Sequence, residues 1–280
     1  MFPLRQQIRL MGLAVVLASL CALLPTTSFA QTTLLVKQEG VPTTGSTSST
    51  GYSGYSTNYG PHTHFRFVLG VFTVPCFHGG LIDNPIGSFV FTGVSMSGSG
   101  HSGNLLRVGL YASLYSYQVG WRFEHNGRYL KGGVIHGLKH KPFKIVCGDS
   151  ISIELSSGPR ATYNIVAFNP KTNIAHGVAT GVIQVSPNTQ DVSWETARYG
   201  CLTLPNTPPS VLPNFGRITW PQLSAIIAPS NTPVSLTRLN RLNVTMVDRE
   251  HQVLATSSFV GAPNDFTTTW VAPGTDGSLC

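Results

Sequence analysis

The chain is short of charge. Only 10% of its 280 residues are Asp, Glu, Lys or Arg, which excludes coiled coils, highly charged disordered chains and helix-rich proteins of the Ala/Glu/Lys/Leu type. No apolar run reaches the roughly 18–20 residues that a membrane-spanning helix needs. C-x-x-C, Asp-Thr-Gly and Asp-Ser-Gly are all missing, so neither a zinc knuckle nor an aspartic-protease pair has sequence support. His62-x-His64 would place two imidazoles on one strand face, with His78 nearby, but no carboxylate or Cys set completes a tetrahedral site. No metal and no cofactor is expected. Gly100-His101-Ser102-Gly103 falls short of a nucleophile elbow, because Asn104 stands fifth and no strand–turn–helix context surrounds it. Basic residues are scattered apart from Lys139, Lys141 and Lys144; this suits solubility and argues against a nucleic-acid partner.

What the chain does contain begins with an export signal. Arg5 and Arg9 precede an apolar run from Leu10 to Leu24, and Ser28-Phe29-Ala30 follows. A positive start, a short apolar centre and an A-x-A-like exit describe a secretory signal peptide over residues 1–30. Leu20 before Cys21 argues against a lipoprotein. The mature chain is then expected to be secreted, extracellular or periplasmic, off the membrane and monomeric. Cys76, Cys147, Cys201 and Cys280 remain, and four cysteines in an exported chain suggest two disulfides with three possible connectivities. Residues 31–62 are rich in Gly, Ser, Thr, Tyr and Pro, a composition that buries little apolar surface and reads as a flexible linker. A single domain is expected over residues 63–280.

Within that domain, strand signals recur at short spacing. Ile151, Ile153 and Leu155 alternate with Ser152, Glu154 and Ser156 behind the turn Gly148-Asp149, and Leu242, Val244 and Met246 repeat the pattern. A 3.6-residue apolar period is absent except for a short helical turn near Gln222–Ile227. Many strands without crossover helices predict an all-β antiparallel sandwich. Asn243-Val244-Thr245 matches the N-glycosylation pattern.

The informative stretch runs Val192-Ser193-Trp194-Glu195-Thr196-Ala197-Arg198, then Leu212-Pro213-Asn214-Phe215-Gly216-Arg217-Ile218-Thr219-Trp220. It resembles the glutamic endopeptidases, or eqolisins, in which a Trp-x-x-Glu strand precedes a Leu-x-x-Phe-Gly-x-hydrophobic-x-Phe segment. Phe72-Thr73-Val74-Pro75, Phe91-Thr92-Gly93-Val94, Leu105-Leu106-Arg107-Val108-Gly109, Trp121, Gly148-Asp149-Ser150-Ile151 and Asn169-Pro170-Lys171-Thr172-Asn173 resemble further landmarks in the family's order, as do Met246-Val247-Asp248 and the stretch from Ser257 to Trp270. The resemblance implies two large antiparallel sheets of the concanavalin A-like lectin and glucanase type. It also implies chemistry in which a Glu acts as general base on water and a Gln amide holds the oxyanion. Here the Gln position is Arg107 and the Glu position, three after Trp194, is Ala197. General-base catalysis is worth about 10²–10⁴-fold and an oxyanion donor about 10²–10³, so losing both removes most activity.

Glu195 stands two residues before Ala197, on the same strand face and about 6.5–7 Å away. It is the candidate for a relocated base, with Arg107 or Gln118 stabilising an oxyanion; the competing reading is an ion pair left after catalysis was lost. Trp194, Trp121 and Phe91 are the candidate substrate-binding residues. The expected function is a secreted, catalytically degenerate member of this family that binds extended peptide or unfolded protein. Its rivals are an active acid endopeptidase using Glu195, and a carbohydrate-binding sandwich with Trp121 and Trp194 as a stacking platform for polysaccharide.

Overall fold

The computed structural model describes residues 44–57, 59, 62–80, 84, 88–98, 102–137, 143–199, 211–260 and 266–274. The first strands are β1 (Thr44–Ser49), β2 (Tyr52–Thr57), β3 (Phe65–Thr73), β4 (Phe89–Ser97), β5 (Asn104–Ala112) and β6 (Tyr117–His125). They are followed by β7 (Arg128–Val134), β8 (Ser150–Ser156), β9 (Ala161–Asn169), β10 (Ile174–Ile183) and β11 (Asp191–Tyr199). The last are β12 (Arg217–Trp220), β13 (Gln222–Ile227), β14 (Val234–Ser235), β15 (Arg241–Val247), β16 (Val253–Phe259) and β17 (Phe266–Trp270). An 11-stranded sheet runs β12-β17-β16-β15-β2-β11-β4-β5-β6-β7, with β1 parallel to β15; a 6-stranded sheet runs β10-β9-β8-β3-β13-β14. Every other pair is antiparallel, and among the described residues no helix is long and apolar enough to cross a membrane.

The sandwich follows from the alternation. β8 turns Ile151, Ile153 and Leu155 into the space between the sheets and its serines away. From the large sheet, Val94, Leu106, Val108 and Trp194 meet them, while Phe72, Trp220 and Phe266 form a stack with centroids 5.0 and 5.2 Å apart. Burial of such side chains contributes about 25 cal/mol per Å² of apolar surface. The expected helical turn near Gln222–Ile227 is instead strand β13. Leu223 and Ala225 alternate into the core against β3, and that register overrides a weak local helical tendency.

The linker expectation fails over residues 44–57. β1 and β2 are strands of the large sheet, and β2 lies between β11 and β15, with Ser53, Tyr55, Ser56 and Thr57 all buried. Small polar residues are stable there because each finds a partner. The Ser53 hydroxyl meets Ser257 at 2.9 Å, the Ser56 and Thr57 hydroxyls donate to Asp191, and Tyr55 packs on Phe259 and Phe266. Gly54 has φ +150°, and a Cβ there would strike the Trp194 carbonyl. The domain therefore includes residues 44–57, ahead of the boundary expected at 63. The signal-peptide expectation over 1–30 and the linker's first part lie outside the described residues.

Cys76 and Cys147 form a disulfide closing a 71-residue separation. The bridge extends the β3–β8 ladder, where Val74 N–H donates to the Asp149 carbonyl at 2.7 Å. On the loop-entropy scale it contributes about 4 kcal/mol. Cys201 and Cys280 lie outside the described residues. The glycosylation pattern falls inside β15, and the Asn243 amide donates to the Ser257 carbonyl at 2.9 Å.

Candidate functional site

On the face of the large sheet turned away from its partner, the register of β11, β4, β5 and β6 builds three rows. The first is Ser193, Ser95, Arg107 and Arg122; the second Glu195, Gly93, Gly109 and Gly120; the third Ala197, Phe91, Tyr111 and Gln118. In the middle row Glu195 is the only one of the four with a side chain. Arg107 therefore reaches across the bare backbone of Gly93 and Gly109 to Glu195. A Cβ on Gly109 would come within 2.6 Å of the Phe91 ring.

The pairing envisaged from the sequence is present. Arg107 donates from Nε to Glu195 Oε1 at 2.7 Å and from Nη1 to Glu124 Oε1 at 3.0 Å. Arg122 Nε donates to the same Glu124 oxygen at 2.6 Å, and the Tyr199 hydroxyl at 3.3 Å. Two arginines and two glutamates thus neutralise one another in a closed network. The Glu195 side chain is 0% exposed and that of Arg107 12%. Burial would lower the Arg107 pKa, but the charges of Glu195, Tyr199 and Glu124 outweigh it and raise the value further.

Ala197 sits in an aromatic cluster beside that network. Phe91, Tyr111 and Tyr199 pack with centroid separations of 5.2, 5.9 and 5.3 Å, and Tyr52 and Phe89 lean on them. Burial, reinforced by Glu124 and Glu195 against the opposing charges of Arg107 and Arg122, pushes the Tyr199 hydroxyl up to about 12. Tyr111 and Tyr52 are raised by the same cause, burial first. The hydroxyls are held neutral in a water-poor patch.

The two candidate tryptophans turn the other way. Trp194 is 0% exposed between the sheets and donates its indole N–H to the Leu69 carbonyl at 2.7 Å. Trp121 shares that parity and packs against the core. A substrate on the outer face does not meet the Trp194 ring, while Trp121 borders the pocket between β6 and β7. Phe91 does point outward, but it is buried beneath Tyr111 and Tyr199. Gln118 is exposed and borders two pockets, one of about 270 Å³ and one of about 250 Å³. Sequence reasoning missed Glu124, Arg122, Tyr111 and Tyr199. Their signal was the alternation Arg122-Phe123-Glu124, which becomes informative only once the β5–β6 register is known.

Solved structures share this architecture. Scytalido-glutamic peptidase with a transition state analog inhibitor superposes with a TM-score of 0.56 at 15% identity, covering 80% of this chain and 100% of that one. The same peptidase with a peptide based transition state analog gives 0.55 at 14% identity, again over 80% and 100%. The eqolisin SCP-B in complex with the tripeptide Ala-Ile-His gives 0.53 at 14%, over 80% and 100%. The fold is the eqolisin fold. At such identities the likeness speaks for the fold alone. No family model and no curated protein matches the chain.

Proposed function

We propose that the chain is an exported, catalytically degenerate relative of the glutamic endopeptidases that holds extended peptide or unfolded protein without cutting it. One observation carries this reading. Glu195 is fully buried and ion-paired, and Ala197, at the position the resemblance gives to the catalytic Glu, sits among aromatic rings. A general base must come within about 3 Å of the proton it takes, directly or through one water. A carboxylate closed off from solvent and bound to a guanidinium is held for structure instead.

Gln118 does not restore the missing oxyanion donor. It lies on β6, three strands from β11, which at about 4.8 Å per strand is roughly 14 Å. The stacking platform of a carbohydrate binder fares no better, since Trp194 is fully buried between the sheets and Trp121 alone makes no platform. Peptide is favoured as ligand because neighbours of the same fold were solved with a tripeptide and with a peptide based analog. The edge strand β7 also offers exposed backbone at Gly132 and Gly133, to which an extended chain can pair. Export is supported by the Cys76–Cys147 disulfide.

The test is cleavage of an unfolded protein from pH 2 to 7 by the purified protein and by Glu195→Gln, with folding checked at each pH. No cleavage by either is expected, with retention of labelled unfolded protein and none on immobilised polysaccharide. Cleavage that vanishes in Glu195→Gln would overturn the reading.

A further inference from the structure

The pocket of about 270 Å³ between β6, β7 and Tyr199 has a character that the ion-pair network leaves unexplained. Tyr111, Tyr129 and Tyr199 line it together with glycines 120, 132 and 133. Arg122 contacts two of these rings, its guanidinium carbon 4.8 Å from the Tyr129 centroid and 4.7 Å from that of Tyr199. Its Nε is spent on Glu124, and its side chain is 20% exposed. Among the described residues neither of its terminal nitrogens meets an acceptor, nor does the amide of Gln118 on the same wall.

A guanidinium fixed by two ring contacts and by its Nε bond to Glu124 presents its terminal nitrogens as a fork, which fits a planar group with two oxygens. The surrounding charge agrees. The β6–β7 hairpin carries Arg122, Arg128 and Lys131 against the single acid Glu124. Glu124 is itself answered by three donors on one oxygen: Arg107, Arg122 and Tyr199.

We propose that this pocket binds a carboxylate, on an acidic side chain or at the C-terminus of the captured chain, with Arg122 as the fork and Gln118 as a second donor. The proposal rests on the peptide-binding reading for the identity of the carrier. A labelled unstructured peptide is compared in four versions, with an internal Glu or Gln and with a free or amidated C-terminus. One acid form is expected to bind about tenfold more tightly than its neutral counterpart, less so at high salt; the pair that discriminates identifies the source. Arg122→Gln is expected to erase the preference and Arg122→Lys to keep part of it. Should Arg122→Gln fail to fold, the wild-type peptide pairs still decide. Equal binding of all four peptides would overturn the pocket and leave peptide binding standing. If no peptide binds, ligand-observed NMR with phenylacetate and phenylacetamide decides. Selective contact of the acid keeps the pocket while the peptide reading falls, and no selectivity overturns the pocket too.

Discussion

The two faces of the large sheet are closed to solvent at their centre to the same degree, but are built from opposite materials. On β11, Trp194 and Glu195 are sequence neighbours and both are fully buried. Trp194 joins Val94, Leu106 and Val108 in a non-directional apolar layer, whose stability scales with the volume it fills. Glu195 joins Arg107, Glu124 and Arg122, where stability depends on every charge keeping its partner. The outer face is here a second interior, polar and paired. The difference teaches that burial alone does not say how a position responds to change; the partner requirement does.

The comparison breaks most sharply at Ala197. Ala197→Glu, which introduces the residue that the resemblance implies there, would overpack the Phe91, Tyr111 and Tyr199 cluster, costing about 1–3 kcal/mol, and bury a carboxylate with no cation in its row, costing several more. A loss above about 4 kcal/mol in urea unfolding is expected, without peptidase activity. A stable Ala197→Glu protein that cleaves would show that the outer face has kept catalytic room. Next comes Arg107→Met, which removes the guanidinium that Glu195 and Glu124 share. A loss of about 3–5 kcal/mol is expected, most of it regained in Arg107→Met/Glu195→Leu, because an apolar pair of similar volume needs no partners. If the double variant is no better than the single, the network is more than a matched set of charges.

How much of this was legible in the sequence differs between the faces for physical reasons. The inner face announced itself at β8, where Ile151, Ile153 and Leu155 alternate with polar residues. β2 stayed hidden because Tyr52-Ser53-Gly54-Tyr55-Ser56 has no hydrophobic period, and its burial comes from neighbours 135 to 204 residues away. On the outer face, the Arg107–Glu195 pair followed from two residues sharing a strand face once the family resemblance had aligned them. Glu124 and Arg122 did not follow, because the β5–β6 register depends on a turn at Ser113–Ser116 whose geometry the residues alone leave open. The tryptophans could have been placed by parity: if Glu195 faces outward, Trp194 must face inward.

A smaller effect separates the faces at high pH: burial raises the inner hydroxyls of Tyr55 and Tyr117, but the outer face holds the fully buried pair Tyr111 and Tyr199, raised further. Tyr199 titrates near 12 when folded and near 10 when unfolded. Below pH 10 both states keep the proton, and the contribution of the neutral, buried hydroxyl is fully present. Between pH 10 and 12 the unfolded chain loses its proton while the folded one retains it, so stability falls, by about 3 kcal/mol in all. Unfolding free energies measured across that window should slope downward, and Tyr199→Phe should flatten the slope. Tyr111, raised in the same direction, should account for part of what remains. A slope unchanged in Tyr199→Phe would mean that the ring is not sealed from water.

The smallest effect is expected on the inner face, and it is the control for the rest. Leu106 is fully buried against Met96 and Phe123, one residue before Arg107 on the same strand. Leu106→Met keeps volume and polarity while changing shape, and such swaps cost less than about 1.5 kcal/mol in a packed core. Arg107→Lys is as conservative by charge, yet it trades a planar fork for a single ammonium that cannot span Glu195 and Glu124 in the same geometry. Chemical denaturation should therefore rank Arg107→Lys well above Leu106→Met in cost, although Arg107 is the less buried of the two. A reversed ranking would mean that the outer face is stabilised by aromatic packing, with the ion pairs contributing little.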